Sequence, residues 1–183
     1  MTNRAVLILW LASACAQGSE EASTPIESHT AAAAADLTFV HVDIPPLSIE
    51  GAAEVATEVI HAIVTSERPV CADGDAIAFT ELSLDVRDTF KGAATVERVV
   101  RVAGADACTT VVSGSPRFVV GDEVVLFLWR GPDGGYGILG LGQGTYRVRV
   151  DRSGRVLVEG PDASEGLLLS ELAERVRAAN PLL

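Results

Sequence analysis

The chain has almost no lysine. Lys91 is the only one, and the 14 basic residues are outnumbered by 25 carboxylates, which gives a formal net charge of −11. A protein that binds nucleic acid needs a basic stripe to neutralise phosphates, and this composition does not supply one. The sequence therefore predicts no nucleic-acid partner, and the acidity favours solubility instead.

Histidine and the catalytic motifs that use it are also scarce. The three histidines stand in unrelated contexts, and no zinc-protease, nucleophile-elbow or phosphate-loop pattern occurs. His61 lies among apolar residues, where a satisfied core or edge histidine is the ordinary interpretation. Asp73 and Asp75 flank a glycine, but the other oxygens of a calcium loop do not follow, so a turn is predicted. We expect no catalytic residue, metal, cofactor or small-molecule ligand, and a protein that is not an enzyme.

The apolar run near the start is far too short to cross a bilayer. Residues 1–14 combine a basic start, this apolar run and small residues, which is the pattern of an export signal peptide. The four residues ending at Cys15 resemble the bacterial lipobox, whose cysteine is acylated and becomes the mature N-terminus. This predicts lipidation of Cys15 and membrane attachment through the lipid anchor. The alternative is cleavage after Ala14 or Ala16 and free secretion.

Residues 15–36 contain small and acidic residues and almost no large apolar side chain. Such a segment has too little apolar surface to pack, so it is predicted to be a disordered tether. The folded domain is then expected over residues 37–183.

Three segments carry clear strand patterns. Val124 to Trp129 is an apolar run rich in β-branched and aromatic residues, bounded by glycine-containing turns. Ile77 to Phe90 alternates apolar and polar residues, as a half-buried antiparallel strand does. Val96 to Val102 returns after the turn at Lys91-Gly92. These segments predict an antiparallel sheet with hairpin connections.

Two helices complete the expected fold. Ser48 is a suitable N-cap for a helix over 48–56, and apolar residues recur on one face over 168–180. The glycines at 140, 142 and 144 lie in a strand pattern with no helix after them, so they predict a sharp bend and not a nucleotide loop. The fold class is all-β with a terminal helix: residues 57–159 form an antiparallel β-barrel of five or more strands.

Cys71 and Cys108 lie at similar distances on either side of the Lys91-Gly92 turn. A hairpin at this turn places both cysteines at the same end of the sheet. In an exported protein they are a plausible disulfide pair. Cys15 is then left over, and acylation accounts for it.

The order of segments from Val59 to Val150 also carries a resemblance, which covers about half the chain. Phe90-Lys91-Gly92 is followed by Pro-Arg-Phe-Val-Val-Gly-Asp-Glu-Val-Val-Leu-Phe-Leu at 116–128 and Gly-Gln-Gly-Thr-Tyr at 142–146. This order resembles a group of exported bacterial proteins of unknown function, and through them it looks like the module of netrins and tissue inhibitors of metalloproteinases (the NTR module). The resemblance implies an OB-like barrel with a terminal helix.

The expected function is a non-enzymatic lipoprotein domain of the bacterial cell envelope that binds another exported protein or serves as a structural module. The alternative is a regulator or inhibitor of a secreted protease. A third reading is a hydrolase whose residues are brought together only by the fold.

Overall fold

A computed structural model of the protein describes residues 38–40, 45–71 and 78–180, with only the backbone described for 38–40. The expected signal peptide at 1–14, the tether at 15–36, Cys15 and the turn at Asp73 and Asp75 lie outside these ranges. No helix in the described ranges has the length and apolar character needed to cross a bilayer.

The described residues form ten strands and two α-helices. In chain order these are β1 (Thr38–Val40), α1 (Ile49–Val55), β2 (Glu58–Val70), β3 (Phe79–Lys91), β4 (Glu97–Ala103), β5 (Thr110–Val112), β6 (Glu123–Arg130), β7 (Tyr136–Ile138), β8 (Thr145–Val150), β9 (Val156–Glu159), β10 (Leu167–Leu168) and α2 (Leu169–Ala178). The helices predicted at both ends of the domain are confirmed.

Five strands close into a barrel. The ring runs β6-β2-β3-β4-β7, and β7 also pairs with β6 to complete it. Strands β8, β9 and β10 extend the sheet outward from β6, and β1 pairs with β5 in a separate two-stranded sheet. The chain is therefore mostly β, with a five-stranded barrel, additional strands and a C-terminal helix.

The prediction of an antiparallel barrel is confirmed only in part, because the sheet is mixed. β4 and β7 are parallel, with Val100 opposite Tyr136, and β1 and β5 are also parallel. The reason for the first pair is geometric: four of the five contacts in the ring are antiparallel, so the strand direction reverses at each of them. A closed ring with an odd number of strands cannot reverse direction at every contact.

β6 explains why Val124 to Leu128 is a continuous apolar run. All five residues are fully buried, because the strand has a core on each side. One core fills the barrel and contains Ile60, Ala62, Val64, Leu82, Leu84, Val86, Val100, Val102, Phe118, Val124, Leu126, Leu128 and Ile138. The other packs the two helices on the outside of the sheet and contains Ile49, Ala52, Ala53, Ala56, Val59, Phe90, Val125, Phe127, Tyr146, Val158, Ala163, Leu172, Ala173 and Val176.

No α-helix crosses between strands within residues 78–150. The connections contain short 3-10 turns at Asp106–Cys108 and Leu141–Gly144. Gly144 lies at the bend predicted for this segment, and a Cβ there would lie 2.5 Å from the Leu139 carbonyl oxygen. Glycine is therefore the residue that lets the chain turn from β7 into β8.

Both ends of α1 are capped by side chains. The Ser48 hydroxyl accepts a hydrogen bond from the Gly51 amide (3.1 Å), as an N-cap does. At the other end, the Lys91 Nζ donates to the carbonyl oxygens of Ala53 (2.7 Å) and Glu54 (3.2 Å). The single lysine of the chain therefore connects the end of β3 to the end of α1.

Arg175 of α2 joins the two helices through Glu50 of α1. Its Nε and Nη2 atoms donate to the two carboxylate oxygens at 2.6 and 3.1 Å. This hydrogen bonding lowers the pKa of Glu50 below its ordinary value of 4.5. The lowered pKa means that the pair stabilises the folded state above pH 4.5, and that this contribution is lost as the pH falls through the lower folded-state pKa.

The pair gives a pH-dependent prediction. Glu50→Gln should lower stability at neutral pH by about 0.5 kcal/mol, a small value because the pair is half exposed, and should flatten the decline of Tm in acid. Glu54→Gln is the matched control, since Glu54 is exposed on the same helix. The measurement is Tm against pH. If the Glu50→Gln curve has the same shape as the wild-type curve, the pair does not contribute.

Candidate functional site

The outer face of β3 and β4 forms one wall of a cleft on the barrel surface. Alternation along the strands directs Leu82 and Val100 into the barrel and sends Ser83 and Val99, which lie opposite each other, to the outside. A cleft of about 750 Å³ covers this face. We call it the sheet cleft and define it by Thr65, Glu81, Ser83, Asp85, Val96, Val99, Arg101, Gly135 and Tyr136.

The centre of the sheet cleft is apolar and exposed. Val96 has 76% of its surface accessible and Val99 has 54%. Single exposed apolar residues are common on protein surfaces, but these two lie three residues apart beside one concave cleft. The cleft therefore presents an apolar centre that no described residue covers.

The rim of the sheet cleft consists of paired charges. Arg101 contacts Asp133 (2.5 Å) and Glu81 (3.7 Å), and Arg87 contacts Asp85 (3.1 Å). The Gly135 amide and then Arg101 donate hydrogen bonds to Asp133, and these bonds lower the pKa of its carboxyl group. The rim carries both signs of charge, so the cleft does not specifically attract either polyanions or polycations.

A buried ion pair lies beneath the cleft at one mouth of the barrel. Glu58 of β2 is only 4% exposed, and an Arg98 Nη2 atom lies 2.7 Å from its Oε2 and 2.9 Å from its Oε1. The Tyr136 hydroxyl donates to Oε1 of Glu58 (2.7 Å), which raises the pKa of Tyr136. The Arg98 guanidinium also lies over the Tyr136 ring, 4.5 Å from its centroid. These contacts fix β7 against β2 and β4.

A second cleft lies next to the first. It measures about 380 Å³, shares Arg101, Gly135 and Tyr136 with the sheet cleft, and is mainly apolar. Trp129 is its largest side chain, so we call it the tryptophan cleft. Its remaining apolar lining is Ala78, Phe79, Val102, Ala103, Pro116, Ile138 and Leu141.

The loop between β6 and β7 borders both clefts. The Gly131 amide donates to the Gly135 carbonyl (2.8 Å), and the Gly134 amide donates to the Gly131 carbonyl (3.0 Å). Gly134 has φ +82°, which suits glycine. Asp133 accepts from the Gly135 amide (3.0 Å), so the loop holds this carboxylate in place.

The residues singled out in the sequence lie away from these clefts. The sulfur atoms of Cys71 and Cys108 lie 1.97 Å apart, a disulfide that joins the residue after β2 to the 3-10 turn before β5. His61 Nε2 lies 2.7 Å from Glu123 Oε1. The imidazole therefore has a polar partner, as expected for a satisfied core or edge histidine. Cys15 lies outside the described residues.

Sequence reasoning missed the functional candidates Trp129, Asp133 and Arg98. A partial signal for the first two was available in Gly131-Pro132-Asp133-Gly134-Gly135, because a glycine-rich loop after a strand that ends in tryptophan lies at the surface, where binding residues are common. Arg98 has no such signal, since its partner Glu58 is 40 residues earlier in the chain.

The described residues contain no group of three or more side chains suited to hold a metal ion. Neither the protein-family models nor the curated proteins include a match to this sequence. The binding chemistry of the clefts therefore follows from their own residues. They offer binding surface, paired charges and one exposed indole.

Proposed function

We propose that this protein is a non-enzymatic, exported bacterial lipoprotein domain that binds another exported protein through the sheet cleft. The observation that carries the proposal is the exposed pair Val96 and Val99, surrounded by paired charges. An apolar centre with a polar rim is the usual anatomy of a protein interface. Acylation of Cys15 would hold the domain at the envelope membrane, and this part rests on the sequence pattern alone.

The arrangement of the barrel supports an OB-like assignment. OB folds are five-stranded barrels that bind ligands on the face of their second and third strands. Counted along the chain, the second and third strands of this barrel are β3 and β4, which carry the sheet cleft. The NTR module that the sequence resembles has this type of barrel with a terminal helix. An OB-like barrel indicates the binding face by fold analogy, whereas the ligand depends on the residues of the cleft itself.

Val99→Glu tests the proposal directly. A carboxylate at the apolar centre should weaken capture of the envelope partner at least about tenfold, as expected for a central interface residue. Val150→Glu is the matched control, because Val150 is a valine of comparable exposure (64%, against 54% for Val99) on β8, outside the residues that line either cleft. The measurement is quantitative capture from envelope extract by the mature protein, with the partner identified by mass spectrometry.

Equal capture by both variants would exclude the sheet cleft as the interface. Loss of capture by both variants would point to a general effect of added negative charge. Circular dichroism and Tm establish that each variant is folded.

A regulator of a secreted protease is the second candidate function. It is favoured by the loop before β6, which hydrogen bonds hold in place. Val119 and Val120 are exposed (62% and 61%) on the loop before β6. Asp122 accepts hydrogen bonds from the Val119 amide (3.0 Å) and Arg147 Nη1 (2.8 Å), which fixes the loop. Protease inhibitors bind through pre-organised surfaces of this kind. A captured exported protease whose binding requires Val119 and Val120, and not Val99, would favour this candidate.

A further inference from the structure

We propose that the tryptophan cleft binds a pyranose ring of a neutral, β-linked oligosaccharide, stacked on the indole of Trp129. The proposal goes beyond the protein partner of the sheet cleft and does not depend on it. It also differs from the sequence-based expectation that the protein binds no small ligand.

Trp129 is exposed for a structural reason. It continues the row of Val125 and Phe127 on the outer side of β6, but these two are fully buried whereas Trp129 is 43% exposed. The indole rests on the glycines of the neighbouring chain: a Cβ at Gly137 would lie 2.6 Å from Nε1, and one at Gly131 would lie 3.4 Å from Cζ3. The ring is therefore held flat against the backbone, so binding costs it little conformational freedom.

The two clefts contain three aromatic side chains, Phe79, Trp129 and Tyr136. Among the described residues, no cation lies over the ring of Trp129. The Arg101 guanidinium lies 5.0 Å from the centroid of Phe79, and Arg98 and Arg130 lie 4.5 and 5.8 Å from that of Tyr136. The faces of these two rings already have partners. The indole of Trp129 therefore remains as the planar apolar surface available to a ligand.

The polar groups beside the indole suit a ligand with hydroxyl groups. Arg101 and Asp133 form an ion pair at 2.5 Å and both line the cleft, together with Ser115. A guanidinium offers several fixed donors and a carboxylate offers several acceptors, whereas hydroxyl groups both donate and accept. Because the two charges neutralise each other, a neutral ligand can use both groups without separating them. A charged ligand would have to compete with the pair.

A pyranose ring combines these two requirements. Its C–H bonds form an apolar face, and its hydroxyl groups lie around the edge. In a β-linked glucan all substituents are equatorial, so both ring faces are flat and apolar. The cleft volume of about 380 Å³ lies within the range of small-ligand sites. The two clefts share Arg101, Gly135 and Tyr136 in their linings, so they lie side by side, and this favours an oligosaccharide that extends beyond one site over a single sugar.

Tryptophan fluorescence can test this site because the chain has two tryptophans, Trp10 and Trp129. In the full chain with Trp10→Phe, Trp129 is the only indole. Titration with cellohexaose should give a saturable spectral shift, and maltohexaose, whose α-linkages bend the chain, should give a much smaller one. Calorimetry should show binding of cellohexaose weakened between about twofold and tenfold by Trp129→Ala, the loss expected for one stacked aromatic ring.

Two further variants keep the test decisive if Trp129→Ala fails to fold. Asp133→Asn changes an exposed loop side chain and should also weaken binding, whereas Val150→Glu should not. The absence of a saturable shift at millimolar cellohexaose would overturn the proposal, as would an equal response to maltohexaose or binding that survives loss of the indole. A captured protein whose binding requires Trp129, with no saccharide bound, would show instead that the cleft holds a protein side chain.

Discussion

Replacing Arg98 with methionine is expected to destabilise the protein by about 3 to 5 kcal/mol, because it leaves a buried carboxylate without its counterion. Glu58 is 4% exposed, and its two oxygens face the same guanidinium nitrogen at 2.7 and 2.9 Å. Water cannot readily solvate that carboxylate when the guanidinium is removed. The measurement is the free energy of unfolding from urea titration.

Two controls separate this effect from the loss of any surface charge. Arg87→Met removes an ion pair to Asp85 in which both side chains are about half exposed, and it should cost less than about 1 kcal/mol. The double variant Glu58→Gln with Arg98→Met removes the buried charge itself and should recover part of the lost stability. If Arg98→Met and Arg87→Met have equal effects, the Glu58 carboxylate is not held in a poorly solvated site.

The disulfide gives the second large effect. Cys71 and Cys108 are 37 residues apart in the chain, so their bond closes a long loop around β3 and β4. Replacing both with alanine should lower the free energy of unfolding by about 4 kcal/mol in the chain-entropy model. Urea titration of the oxidised wild type, the reduced wild type and the double variant gives the comparison.

The reduced protein and the double alanine variant should unfold at nearly the same urea concentration. A loss well below 4 kcal/mol in both would indicate that the unfolded chain is already restricted in this region. Equal stability of the oxidised and reduced proteins would contradict the prediction, and mass analysis of the non-reduced protein establishes which form was measured.

The strands were predictable because their signals are local. Alternation over Ile77 to Phe90 corresponds to β3, which has one face in the barrel and one face outside. The unbroken apolar run at Val124 to Leu128 corresponds to a strand with a core on each side. In both segments, the burial of each residue follows from the spacing of its neighbours in the chain.

The parallel closure of the barrel was not predictable in this way. β7 is only three residues long, and no pattern in Tyr136-Gly137-Ile138 identifies a strand. Its pairing with β4 depends on the number of strands in the ring and not on any local sequence. The short strands β5 and β10 were missed for the same reason, since they are defined by their partners.

The candidate sites depend on contacts between distant segments. Trp129 is recognisable as the end of a strand, but its exposure depends on Gly137 of the next strand. Arg98 shares the inward-facing row of β4 with Val100 and Val102, and only the fold brings it to Glu58. Sequence patterns give the burial of an element more readily than the pairing of charges across a barrel.

The side-chain amine of Lys91 is also a site for chemical labelling of the domain. It is the one lysine amine in the sequence, and burial lowers its pKa. The nitrogen is engaged by the last carbonyl groups of α1, so an acylating reagent can reach it freely only when those hydrogen bonds open. The rate of modification therefore reports local opening at the end of α1, separately from unfolding of the whole domain.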